Sequence, residues 1–242
     1  MCRGQVSAVV LSGGVGKRMG AGMPKQYLPL NGTPMALYSL RLFAGMPEVG
    51  EIVVVCDPSY RDLFEGEGAG GKPLKFALPG AERQDSTYNG LEQVSEGMAL
   101  AAIHDSARPL ADAEDVRRCF ADALEHGAAV LGVQSKATVK QVDQDSLMVE
   151  RTLERATLWE VQTPQVVRPE LLRRGFEHVR ENGLEVTDDV SIIEALGEPV
   201  KVTKGSYENL KLTTPEDILI AEKILAGEGA DAMAKAKAGA AN

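Results

Sequence analysis

Paired cysteines are missing from this 242-residue chain. Its three, Cys2, Cys56 and Cys119, form no Cys-x-x-Cys pair and are odd in number. That excludes a disulfide framework or a cysteine-rich zinc module and makes a reducing compartment the default. The three histidines, His104, His126 and His178, are too scattered for the usual zinc-ligand spacing. Long apolar runs are missing too. Stretches such as Ile52 to Cys56 fall far short of the roughly 20 residues a membrane span needs, so neither a transmembrane segment nor a membrane partner is expected. The apolar stretch from Val6 to Leu11 runs into glycines and basic residues rather than a cleavage pattern, so no signal peptide is expected. What is present, 44% hydrophobic and 25% charged residues, is the composition of a globular protein with a substantial core.

Acidic residues are absent from Met1 to Pro47, where Arg3, Lys17, Arg18, Lys25 and Arg41 give +5. The rest of the chain holds 21 of the 26 basic residues and all 35 acidic ones, a balance of −14. The overall charge of −9 argues against a nucleic-acid partner. The cationic N-terminal region, in contrast, is suited to a small anion.

Short apolar strands alternate with amphipathic helices along most of the chain. Strands are predicted at Val6 to Leu11, Ile52 to Cys56, Leu74 to Leu78, Leu100 to Ile103, Ala128 to Val133 and Pro199 to Thr203. Helices are predicted at Met35 to Ala44, Asp85 to Glu96, Asp112 to His126, Pro169 to Glu181, Asp188 to Leu196 and Pro215 to Leu225. This rhythm implies a single Rossmann-like, three-layer α/β domain over residues 1–226 with a mainly parallel sheet. It breaks over 136–155, where alternation on either side of the turn-like Asp143 to Ser146 reads as a protruding β-hairpin arm. An isolated hairpin is not stable, so the arm is expected to pack on its own domain or on a second subunit. Residues 227–242, rich in Ala, Gly and Lys, read as a flexible tail.

The first strand runs into Ser12-Gly13-Gly14-Val15-Gly16-Lys17-Arg18-Met19-Gly20. Glycines at the carboxyl end of a parallel strand let backbone N–H groups approach phosphate oxygens. A P-loop is excluded, because Gly16-Lys17 is followed by Arg18 and the position five before Gly16 is Leu11. The dinucleotide fingerprint fails at Met19, where a third glycine is required, and at Asp57, which lies too far on. What remains is a glycine loop with Lys17 and Arg18, followed closely by Lys25.

The stretch Gly13 to Tyr27, with Gly-Gly-x-Gly-x-Arg-Met and Pro-Lys-Gln-Tyr, resembles the sugar-phosphate nucleotidyltransferases, specifically the 2-C-methyl-D-erythritol 4-phosphate cytidylyltransferases. Five further segments resemble that family's motifs in the same order: Gly80 to Ser86, His104 to Pro109, Thr163 to Gln165, Thr187 to Asp189 and Asn209 to Lys211. The resemblance covers roughly residues 6 to 225. Arg18 to Ala21 and Gly205 to Asn209 are similar to the plant branch. A departure occurs at Ala81, where the family often has an acidic residue, and this affects one ribose or base contact.

The resemblance implies a reaction of CTP with 2-C-methyl-D-erythritol 4-phosphate, Mg²⁺ as cofactor, and a homodimer joined through the arm. It implies that Arg18, Lys25 and Lys211 are catalytic. Ser12, Gly13, Gly14, Gly16 and Lys17 would bind CTP from the first loop, and Gly80, Arg83 and Ser86 from the next. Asp105, Arg108, Thr138, Arg155, Thr163 and Thr187 would bind the acceptor. Asp105 would lie near a Mg²⁺ held mostly by phosphate oxygens. His104 reads as a hydrogen-bonded structural histidine. A phosphate monoester has a second pKa of about 6, so the attacking oxygen is already anionic at neutral pH and the reaction needs cations rather than a general base. Two alternatives stay open: a ribitol 5-phosphate cytidylyltransferase, which shares the loop and the chemistry, and a non-catalytic nucleotide sensor on the same fold. The compartment implied is the cytoplasm for a bacterial source, or the plastid stroma where a transit peptide has been removed.

Overall fold

A computed structural model describes residues 3–14 and 23–227. Gly16, Lys17, Arg18 and the tail from 228 lie outside the described residues. The chain opens with strand β1 (Val6–Leu11), the two-residue strands β2 (Pro29–Leu30) and β3 (Thr33–Pro34), helix α1 (Met35–Gly45) and strand β4 (Val49–Val55). Helix α2 (Arg61–Glu67), strand β5 (Leu74–Ala77), helix α3 (Arg83–Leu91), strand β6 (Leu100–Asp105), helix α4 (Ala113–His126) and strand β7 (Ala128–Gln134) follow. The hairpin strands β8 (Lys140–Val142) and β9 (Val149–Thr152) come next, then strand β10 (Trp159–Val167), helices α5 (Pro169–Asn182) and α6 (Asp189–Ala195), strand β11 (Lys201–Lys204) and helix α7 (Pro215–Leu225).

Seven strands form one sheet in the order β11-β7-β10-β6-β1-β4-β5. All neighbours run parallel except β10, which is antiparallel to both β6 and β7. Side chains alternate across the pleat, so Val6, Ala8 and Val10 of β1 join Phe43, Leu40 and Phe120 in one core layer, while Val9 joins Leu91, Phe176 and Ile192 in the other. The predicted three-layer α/β domain with a mainly parallel sheet is what forms.

The short strands β2 and β3 and helix α2 were not predicted, and of the strands in the main sheet one was not legible. No strand is predicted for residues 159–167, because Pro164 and four polar residues interrupt the apolar pattern. The Thr163–Pro164 bond is cis, and the β10 register on β7 shifts between Val161 and Gln165, so the proline sits where ladder pairing is already interrupted. The arm does form as a hairpin, with Lys140 opposite Thr152 and Gln141 opposite Arg151. It does not fold back on its own domain: Leu147 and Met148 at its tip are 72% and 70% exposed. No helix among the described residues is long and apolar enough to cross a membrane.

Chain order makes β1 the point where the sheet turns from one direction to the other, with β4 on one side and β6 on the other. Open α/β sheets bind ligands at such a point, outside the carboxyl ends of the strands. Leu11 pairs with Asp105 there, so the glycine loop and the end of β6 emerge side by side.

Candidate active site

The end of β1 is fixed by the Pro24-Lys25-Gln26-Tyr27 segment. Gln26 donates its amide to the carbonyls of Ser12 (3.1 Å) and Gly14 (2.6 Å), and the Tyr27 hydroxyl donates to Ser12 O at 2.9 Å. The Tyr27 ring is stacked on Tyr60 at 3.6 Å. The Ser12 hydroxyl is buried without a hydrogen-bond partner among the described residues. Gly13 passes so close to Pro79 that a Cβ would lie 2.3 Å from the proline Cβ, which is why no larger residue fits. Gly80 is equally confined, with Asp85 Cβ 2.1 Å from where its own would be. Ser86 ties this second loop together: its Oγ accepts from Gly80 N–H at 3.0 Å and donates to Glu82 O at 3.2 Å. The start of α3 is closed by a capping box between Glu82 and Asp85. These loops are therefore held in place from within the chain.

Beside them opens a cavity of about 350 Å³, whose walls include Arg83, Asp105, Arg108, Thr163, Thr187 and Lys211. Six residues that the sequence assigned from five separate motifs thus meet in one place. Asp105 is the centre of the charge. Its Oδ1 accepts from Arg83 Nε at 3.0 Å and its Oδ2 from Lys211 Nζ at 2.6 Å, while its backbone N–H donates to Thr163 Oγ1 at 3.1 Å. Burial alone would raise the Asp105 carboxyl, but the Arg83 and Lys211 charges outweigh it and hold the group well below the usual carboxylate range. Arg83 also forks onto both oxygens of Asp189 at 2.8 Å. Arg108 donates to Asn209 O at 2.7 Å and Val161 O at 3.3 Å, fastening the C-terminal segment to β10. Burial lowers the pKa of its guanidinium.

His104 is fully buried, with Nδ1 3.1 Å from Thr163 Oγ1 and Nε2 3.1 Å from Arg108 O. Burial brings the imidazole down to about 4, leaving it neutral at pH 7. Both ring nitrogens are engaged inside the protein, the arrangement of a structural histidine. Lys25 Nζ donates to Leu212 O at 2.8 Å, one residue beyond Lys211. The basic N-terminal region and the end of the chain therefore converge at the same site.

Two predicted acceptor residues are not brought together with the rest. Thr138 and Arg155 are exposed at the two ends of the arm and do not line the cavity, and Arg155 donates to Lys136 O at 3.2 Å. Gln162, Gln165 and Asp188, conversely, line the cavity without having been assigned a role. Their signal was their position within or beside the Thr163-Pro164-Gln165 and Thr187-Asp188-Asp189 motifs.

Residues 6–227 match the family model described as IspD, 2-C-methyl-D-erythritol 4-phosphate cytidylyltransferase. The chain belongs to that family. Among its relatives is a 2-C-methyl-D-erythritol 4-phosphate cytidylyltransferase of Oryza sativa described as chloroplastic, 60% identical over 91% of this chain and 74% of the rice protein. A protein of the same description from Geobacillus thermodenitrificans is 43% identical over 93% and 98% of the two chains. The crystal structure of 4-diphosphocytidyl-2C-methyl-D-erythritol synthase from Anaerococcus prevotii superimposes with a TM-score of 0.82, at 28% identity, over 92% of this chain and 96% of that one. Membership in the cytidylyltransferase family makes the chain an enzyme, a nucleotidyltransferase, and favours the erythritol reading over the ribitol and sensor alternatives.

Proposed function

We propose that the chain joins the cytidylyl group of CTP to 2-C-methyl-D-erythritol 4-phosphate, with the acceptor in the cavity around Asp105. The products are 4-diphosphocytidyl-2-C-methyl-D-erythritol, a precursor in the non-mevalonate isoprenoid pathway, and pyrophosphate. The nucleotide lies along Ser12, Gly13, Gly14, Gly16 and Lys17 and the Gly80-to-Ser86 loop. The observation that carries this reading is the meeting of Lys25, Lys211 and Asp105, from opposite ends of the chain, at the carboxyl ends of β1 and β6.

An oxygen of the acceptor phosphate attacks the α-phosphorus of CTP. The bond from that phosphorus to the bridging oxygen breaks, and its electron pair leaves with pyrophosphate. The acceptor oxygen is already ionised, since the second pKa of a phosphate monoester is about 6. Accordingly no residue is needed as a base, and the neutral, fully engaged His104 is not placed to be one. What the site supplies is cations: Arg18, Lys25 and Lys211 on the phosphates, and Arg108 within the acceptor cavity. Asp105 meets the acceptor's hydroxyls, and Thr163 and Thr187 its phosphate.

Among the described residues no group of three His, Cys, Asp or Glu side chains gathers as a metal cage. Asp105 has both oxygens committed to Arg83 and Lys211. With the carboxylate so occupied, Mg²⁺ would be held chiefly by phosphate oxygens, with Asp105 nearby. When bound, such an ion neutralises charge on the triphosphate and the pyrophosphate leaving from it.

Thr138 and Arg155 are read as reaching the acceptor phosphate of a partner subunit. The bare apolar tip of the arm, Leu147, Met148 and Val149, supports a two-fold dimer in which each arm lies on the other chain. The rice and bacterial relatives support the plastid stroma or the bacterial cytoplasm as the compartment.

Pyrophosphate release is the deciding assay, run with CTP and either 2-C-methyl-D-erythritol 4-phosphate or ribitol 5-phosphate. The first acceptor is expected to turn over and the second not. UTP is expected to fail with either, because a hydrogen-bond donor on cytosine becomes an acceptor on uracil. Turnover with UTP within about threefold of CTP would remove the cytidylyl assignment, since polar readout of a base achieves far larger ratios.

A further inference from the structure

Arg83, read from the sequence as a CTP contact, spends its fork elsewhere. Its Nη1 and Nη2 donate to the two oxygens of Asp189 at 2.8 Å each, and its Nε donates to Asp105 at 3.0 Å. The flat guanidinium thus bridges two carboxylates, one at the end of β6 and the other at the start of α6. Asp189 is 1% exposed and fully used: Thr87 Oγ1 donates to its Oδ1 at 2.9 Å, and its backbone N–H donates to Gln165 Oε1 at 2.8 Å. Gln165 in turn accepts from Val190 N–H at 3.0 Å and donates to Asp188 Oδ2 at 3.1 Å. The chain of contacts therefore runs from a buried, rigid anchor through Arg83 to one oxygen of Asp105.

The other oxygen of Asp105 is held differently. Lys211 touches it with a single ammonium at 2.6 Å, from a side chain 41% exposed. A phosphate entering the cavity competes for that ammonium, whereas the fork of Arg83 is closed on Asp189. When Lys211 turns to phosphate, Arg83 remains to keep Asp105 in its rotamer, facing the acceptor.

We infer that Asp189 is a positioning residue which, through Arg83, aims Asp105 at the acceptor, and that Arg83 serves the acceptor side of the site rather than the nucleotide. This rests on the reading that the cavity receives the acceptor. The fork is specific to arginine, since a lysine presents one ammonium and cannot bridge two carboxylates in a plane.

The test is steady-state kinetics on Asp189→Asn, Arg83→Lys and the double variant, with both substrates varied. Wild type serves as control: if it fails to release pyrophosphate from CTP and 2-C-methyl-D-erythritol 4-phosphate, the reading of the cavity is at fault. With an active wild type, each single variant is expected to lose about tenfold or more in acceptor kcat/KM, the scale of a lost charged hydrogen bond. The KM for CTP is expected to stay within about twofold, as an interaction with the nucleotide is not removed. The double variant should be no worse than Arg83→Lys alone, because Asp189 acts only through Arg83. A merely structural role would lower the melting point without this split between substrates. A raised KM for CTP with acceptor kinetics intact, or additive losses in the double variant, would overturn the inference. Should Asp189→Asn not fold, the half-exposed Arg83→Lys decides the same split.

Discussion

Around the cavity at the end of β6, Asp105 gives both oxygens to cations, Arg83 and Arg108 are tied to neighbouring elements, and His104 has both nitrogens engaged. On the arm, by contrast, Leu147, Met148 and Val149 stand in solvent over two short strands whose bonds are local to the hairpin. The proposal that the arm lies on a second copy rests on this contrast between a finished cavity and a bare tip. Stability shows the same division, because the cavity is supported by the core of the sheet while a lone two-stranded hairpin is marginal in water. The largest consequences should follow from breaking the finished half.

Replacing Lys25 by alanine, or Arg18 by alanine, is expected to lower kcat by about 10²-fold or more, the scale for one preorganised electrostatic donor. The fold should persist, since the hydrogen bond from Lys25 to Leu212 O is worth about 1.5–3 kcal/mol, a fraction of a domain's stability. Unchanged turnover in a purified, folded variant would take that residue out of the mechanism.

Joining the two halves gives the next effect. Arg155→Ala should spoil the site holding the partner's loop, and Lys25→Ala the site holding its own. Mixing the two inactive proteins, after dissociation and reassociation, would give heterodimers with one site intact in both residues and the other lacking both. Activity per heterodimer should rise toward half the wild-type level. Mass spectrometry has to show that heterodimers are present; if they are and activity stays at the parental level, each subunit builds its site alone.

A smaller effect, on stability as well as rate, is expected at Gly80. Alanine there places a Cβ 2.1 Å from Asp85 Cβ and 2.9 Å from its backbone carbon, so the first turn of α3, which carries Arg83, must shift. Overpacking of this kind costs about 1–3 kcal/mol. Denaturant unfolding of Gly80→Ala against wild type measures it. An unchanged midpoint would mean that the loop accommodates the methyl group and that the confinement is not what demands glycine.

Most of the fold could be read from the chain because β1, β4, β6 and β7 are apolar runs separated by amphipathic helices, a pattern fixed by burial on both faces of a sheet. Strand β10 could not, since its Thr163-Pro164-Gln165 stretch is polar and lacks an N–H exactly where pairing slips. Local pattern reports burial and periodicity; it does not report a strand whose polar residues are satisfied by a site. For the same reason Asp105 was legible as a residue at a strand end, while its clamp was not. That clamp depends on α3 and α6 beginning near one another, 106 residues apart in sequence, which only tertiary packing decides. Arg155 and Thr138 were placed by the family resemblance alone, at the two ends of the arm, and the single chain leaves them outside the cavity.

The arm should give the smallest change of all in the chain's own stability. Leu147→Asp with Met148→Asp puts charge on two side chains that the rest of the chain does not cover, and substitutions at such positions stay within about 0.5 kcal/mol each. If the arm lies on a second copy, those same charges oppose apolar burial there, and the protein should sediment as a monomer with native circular dichroism. Its melting point should then be independent of concentration, whereas that of the wild type should rise with concentration, because association stabilises only the folded chain. Activity should vanish along with the partner's Thr138 and Arg155, although no residue of the cavity has been touched. A double variant that remains dimeric and active would place the interface elsewhere and leave the exposed tip without this role.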